Sequence, residues 1–149
     1  MADPYATVDD FIEAFGTVEA RRTANIDAPT VNNPDNDRMT EALEDASDEI
    51  DSYLQERYNV AGLRDDPPRR LKRICLDIAR YTLTKNRPPE DYRLRYEDAL
   101  RWLREAAAGK VSLGLTVTDE VTATENRSNR PFVVNGTGRV FTYNGMKSF

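Results

Sequence analysis

Met39-Thr40-Glu41-Ala42-Leu43-Glu44-Asp45-Ala46-Ser47-Asp48-Glu49-Ile50-Asp51-Ser52-Tyr53-Leu54-Gln55-Glu56-Arg57 decides the fold. Met39, Leu43, Ala46, Ile50, Tyr53, Leu54 and Arg57 recur at threes and fours, which places one stripe along a helix turning about 100° per residue. On the same wheel Glu41, Glu44, Asp45, Asp48 and Asp51 fall on the opposite face. One side is core and the other almost purely acidic. Asn36 or Asp37 is the expected N-cap, because a short polar side chain there can accept from a free amide of the first turn.

Working outward, the same helical period recurs on both sides. Thr7 is an N-cap with Asp10 three residues on, and Phe11, Ile12 and Phe15 follow before Gly16 stops a short first helix. Residues 23–34 read as loop, since Asn25, Asn32 and Asn33 compete for backbone hydrogen bonds while Pro29 and Pro34 forbid helix. After the long second helix, Pro67-Pro68 opens a third with a buried stripe of Leu71, Ile74, Cys75, Ile78, Ala79 and Thr82. Pro88-Pro89 ends that element and starts a fourth, in which Tyr92, Tyr96, Ala99, Leu100, Leu103, Ala106 and Ala107 share a face and Gly109 sits at the C′ position. The expected fold is mainly α: a small bundle of one short and three longer helices. Trp102 lies off the centre of the fourth apolar face, where it either seals the bundle edge or meets a neighbour.

Beyond Lys110 the pattern changes. Val111, Leu113, Leu115 and Val117 alternate with small polar residues in strand fashion, and a polar stretch runs to Pro131. Phe132-Val133-Val134 and Arg139-Val140-Phe141-Thr142-Tyr143 can pair around Asn135 to Gly138 as a hairpin, which alone is marginal in water. The expected organisation is therefore a helical domain over 1–114 and an extended arm over 115–149 that orders against a partner.

With 149 residues the chain supports one real core. Hydrophobic content of 39% beside 32% charged residues, with no apolar run near eighteen residues, excludes a helical membrane span. Met1 to Tyr5 carries neither the basic nor the apolar region of a secretory signal, so synthesis and assembly are expected in the cytoplasm. The chain has no histidine and a single cysteine, Cys75, read as a buried structural thiol. Without histidine the commonest general base and transition-metal ligand are both missing. No phosphate-binding or calcium loop appears, so the expectation is a protein without enzyme activity, metal or cofactor.

Charge divides along the chain. Residues 1–66 hold seventeen acids and five bases, a net of −12, whereas residues 67–149 hold nine and sixteen, a net of +7. Opposed patches can meet head to tail between neighbours, or simply neutralise each other within one bundle. Arg69, Arg70, Lys72 and Arg73 crowd the start of the third helix, where the macrodipole is already positive. A compensating anion is implied: a neighbour's acidic helix, another protein's carboxylate, DNA phosphate, or simply Asp65 and Asp66.

Three phrases order the helical part: Ile50 to Tyr58, Asp77-Ile78-Ala79-Arg80-Tyr81, and Arg95 to Leu103. With Phe15-Gly16 closing the first helix, Ala42-Leu43 and Ala46-Ser47 before the Tyr53-Leu54-x-x-Arg57-Tyr58 phrase, and Gly109-Lys110 after the last helix, they resemble the Mu-like prophage family of head-tail connector proteins. The resemblance runs from Tyr5 to Gly109. It implies a virion structural protein, an adaptor or head completion subunit made in the bacterial host cytoplasm. It further implies a ring of about twelve copies between the portal protein and the next tail or stopper protein, with DNA passing through the channel without specific binding. No membrane partner is expected. On this reading Phe132, Arg139, Phe141, Tyr143, Met146 and Phe149 anchor a docking arm to portal or neighbour, and Arg69, Arg70, Lys72 and Arg73 form an inter-subunit basic patch. Glu41, Glu44, Asp45, Asp48 and Asp51 serve subunit contact or channel lining. The competing reading is a nucleic-acid-binding helical module that uses the run Arg69 to Arg73. Against it stand the acidic pI and the lack of aromatics beside that run.

Overall fold

Thr7 begins the first helix by a reciprocal cap. Its hydroxyl accepts from the Asp10 amide at 3.2 Å, and the Asp10 carboxylate accepts from the Thr7 amide at 2.8 Å. In the computed structural model, which describes residues 3–114, that helix is α1 (Val8–Phe15). Five more follow: α2 (Thr17–Ala24), α3 (Asn36–Leu54), α4 (Val60–Asp65), α5 (Arg69–Leu83) and α6 (Glu90–Ala107). The fold is mainly α as expected, with no strand among the described residues.

The Thr7–Asp10 cap carries a pH signature. The bonded Thr7 amide holds the Asp10 carboxyl below the usual carboxylate range. A depressed carboxyl stabilises above its unfolded pKa, and the contribution is lost as pH falls through the folded value. Asp10→Asn is therefore expected to cost about 0.5 kcal/mol near neutrality, a cap-sized loss at an exposed site. The difference from the parent chain should shrink below about pH 4. Urea denaturation of both chains at several pH values checks this.

Four helices match the expected pattern and two were not anticipated. Along α3 the buried residues are Met39, Ala42, Leu43, Ala46, Ser47, Ile50 and Leu54, with Asp35 as the cap through its bond to the Arg38 amide at 3.1 Å. The cap is thus one residue earlier than Asn36, and the helix stops at Leu54, which leaves Arg57 in the following turn. The added helices are α2, where Ala20, Thr23 and Ala24 face inward, and α4, where Leu63 is the buried residue. Alanine, threonine and one leucine make a faint stripe, which is why periodicity missed them. Asn25, expected in open loop, is 5% exposed. Its side chain bonds the Asn33 carbonyl and the Asp35 amide at 2.6 and 2.9 Å, closing the 25–35 loop onto the start of α3.

Packing centres on α5, whose most extensive neighbours are α3 and α6. Its Leu71, Ile74, Cys75, Leu76, Ile78, Ala79 and Leu83 are buried, while α1 and α2 cover one side. Cys75 is fully buried, and desolvation pushes its thiol up to about 11. At the end of α6, Gly109 adopts φ 70°. Its amide reaches the Ala106 carbonyl, and the Lys110 amide reaches that of Glu105, each at 2.9 Å, so two helix-end carbonyls are satisfied as the left-handed residue turns the chain away.

Past that turn the expected strand does not appear at residues 111–114. Leu113 is buried at 6% exposure and Val111 packs against the core, so their alternation serves the bundle. Residues 115–149, with the expected arm and hairpin, lie outside the described residues. Trp102 is half-buried against the core, with the Arg70 guanidinium 5.5 Å from its ring centroid.

Candidate functional site

The acidic face of α3 divides into two parts. Glu41 and Asp45 are exposed and Glu44 is half-buried, with Asp37 exposed one turn earlier. At about 100° per residue, Asp37, Glu41 and Glu44 lie nearly in line and Asp45 beside them. No ion pair engages any of these four among the described residues. Asp48 and Asp51 instead converge on Arg64 of α4, at 2.7 and 2.6 Å. Asp51 also accepts from the Tyr5 hydroxyl at 2.6 Å. Tyr5 is 1% exposed, and burial followed by that bond pushes its hydroxyl far above the ordinary tyrosine value. Asp51 thus turns inward as a structural anchor of the amino-terminal segment.

The basic start of α5 is partly engaged as well. Arg73 pairs with Asp77 at 3.3 Å and lies 5.1 Å from the Phe15 ring centroid, while Arg70 covers Trp102. Asp77 has one carboxylate oxygen buried without a partner, and burial raises its pKa despite Arg73 beside it. Arg69 is exposed and Lys72 half-exposed, and neither makes an ion pair among the described residues; in particular Asp65 and Asp66 do not pair with them. The proposed arm anchors Phe132, Arg139, Phe141, Tyr143, Met146 and Phe149 lie outside the described residues.

A second basic cluster, which the sequence reading missed, gathers around Arg80. Its guanidinium lies between two rings, 4.4 Å from the centroid of Phe15 and 3.6 Å from that of Tyr92. It also pairs with Glu19 at 2.9 Å, and Glu19 accepts from the Tyr92 hydroxyl. One residue thereby ties α1, α2 and α6 to α5. Above this junction two hollows share Arg22 and Ile26 as a common wall. The smaller adds Val18 and Arg21; the larger, about 560 Å³, adds Arg87, Asp91 and Tyr92 over Arg80. Val18 and Ile26 are 72% and 39% exposed, two of the few large apolar side chains the described surface leaves to water. Sequence spacing gave no signal for this grouping, because Arg22 on α2 and Arg87 in the turn after α5 come together only in three dimensions.

Helix packing and surface together define, over the described residues, a small helical bundle that presents a carboxylate strip on α3 and an arginine-lined, partly apolar groove beside α2. The chain belongs to the Bacteriophage Mu Gp36 family, whose family model matches residues 5–130, and it is a Mu-like phage protein. It is similar to the Mu-like prophage FluMu protein gp36 of Haemophilus influenzae, 42% identical over 121 residues, which is 81% of this chain and 82% of that protein. It is also similar to gene product J of Escherichia phage Mu, 32% identical over 112 residues, covering 74% and 77% of the two chains. The family match runs past the last helix and takes in residues 115–130. No described helix is long and apolar enough to cross a membrane.

Proposed function

We propose that this chain is a structural protein of the phage particle, a head-tail connector subunit that forms a ring between portal and tail around the DNA channel. The observation that carries the reading is membership of the Mu Gp36 family over most of the chain, joined to a helical bundle whose surface is divided by charge. Its work is geometry and association rather than catalysis. The bundle supplies the ring wall, and opposed charged surfaces supply lateral contacts and steer encounter. The acids of α3 that make no ion pair within the bundle supply the negative side of those lateral contacts. The carboxyl-terminal segment, rich in aromatic anchors, clamps onto portal or neighbour because aromatic groups bury much area at low entropy cost.

Truncation after Gly114 tests the reading. The expected product keeps the helical circular dichroism of the bundle but no longer attaches to tail-less phage heads. Attachment at parental strength by the truncated chain would contradict the proposed clamp, and failure of the full chain to attach would contradict the connector role.

A further inference from the structure

From the groove between α2 and the start of α6, we infer that it receives the α3 carboxylate strip of a second copy of this chain. The inference deepens the ring-subunit reading and rests on it. The groove combines exposed apolar surface, Val18 and Ile26, with Arg21, Arg22 and Arg87, none of which makes an ion pair among the described residues. Its floor is held by the Arg80 junction, so the arginines stand on a rigid base.

Charge complementarity names the occupant. The strip Asp37, Glu41, Glu44 and Asp45 is likewise free of ion pairs among the described residues, although Arg38 and Lys85 border it. The strip lies on α3 and the groove on α2, the turns at Ile26 and Arg87 and the start of α6, and among the described residues the strip makes no ion pair with the groove of its own chain. Between two copies the contact joins unlike patches, and such head-to-tail contacts repeated by rotation close into a ring. Nucleic acid fits the groove less well: Asp91 lines it, and Val18 and Ile26 would lie against a hydrated phosphate backbone.

Sedimentation velocity of the full chain, over a concentration series at low salt, tests this. Two variants are compared, Arg21→Glu/Arg22→Glu/Arg87→Glu and Glu41→Lys/Glu44→Lys/Asp45→Lys. The parent chain is expected to self-associate, and each variant alone to do so at least about tenfold more weakly. An equimolar mixture of the two should recover, because every groove then faces a strip of opposite sign. Circular dichroism confirms folding, and Arg→Gln and Glu→Gln sets replace any reversal that fails to fold. A parent chain that stays monomeric, association indifferent to either reversal, or a mixture that does not recover overturns the inference. So does association lost on truncation after Gly114 while both reversals leave it intact, which would make the carboxyl-terminal segment the occupant. Salt-sensitive binding of a DNA duplex that the arginine variant loses would also overturn it. Mass spectrometry of purified particles separates the two levels: a chain present in particles with an inert groove sinks this contact and leaves the structural role standing.

Discussion

Arg80→Ala is expected to lower the stability of the bundle by about 3 kcal/mol. The side chains of Arg80 and Glu19 are only 16% and 19% exposed, so this is no surface ion pair of negligible worth. Removing the guanidinium leaves the Glu19 carboxylate partly buried with the Tyr92 hydroxyl as its remaining partner, and it opens the space between the Phe15 and Tyr92 rings. Arg80→Met should recover part of the loss, since its stem still fills that space while Glu19 stays unpaired. Glu19→Ala/Arg80→Ala should cost less than the sum of the two single changes, because the stranded carboxylate is gone. Urea denaturation followed by circular dichroism measures the parent and the four variants, Arg80→Ala, Arg80→Met, Glu19→Ala and the double change. A cost below about 1 kcal/mol for Arg80→Ala would show that the junction does not hold the helices together.

The second large effect is expected at Asp51. Asp51→Ala takes the acceptor from the buried Tyr5 hydroxyl and removes one of the two carboxylates that hold Arg64, at a cost of about 2 to 3 kcal/mol. Tyr5→Phe removes the donor together with its need for a partner and should cost about 1 kcal/mol. The two changes combined should cost less than their sum. Alkaline pH gives an independent check. The Tyr5 pKa is raised in the folded chain, so its contribution is intact below the unfolded tyrosine value and is lost as pH rises above about 10. Tyr5→Phe should lessen that alkaline loss, leaving the part due to Tyr96, whose hydroxyl burial and Glu49 also push up to about 12. Equal steepness in both chains would contradict the buried Tyr5–Asp51 bond.

The elements legible in the sequence were those with long apolar stripes and firm punctuation. Met39 to Leu54 carried enough periodic residues to define α3, and the two proline pairs marked the starts of α5 and α6. By contrast, α2 turns alanine and threonine inward, and α4 has six residues with Gly62 among them, so neither rises above the background of a loop. Missing α4 had a direct consequence for the acidic face. Arg64 could not be placed against Asp48 and Asp51, and all five acids looked alike. The same holds for the basic residues. Arg69 to Arg73 drew notice because they adjoin in sequence, yet Arg70 and Arg73 are occupied by Trp102, Phe15 and Asp77. Arg21, Arg22 and Arg87 gather only in three dimensions, where helix packing unites residues some sixty-five positions apart.

Family resemblance was the strongest signal of all, since it rests on the order of several phrases rather than on any one of them. The family match over residues 5–130 bears out a Mu-like phage protein, and the connector role is our proposal, argued from that match together with fold and charge. Electron microscopy of purified particles, with this chain carrying a label, tests the role most directly. Class averages are expected to place the label in a ring at one vertex, between head and tail. Label distributed over the shell or along the tail, or particles that lack the chain altogether, would contradict it.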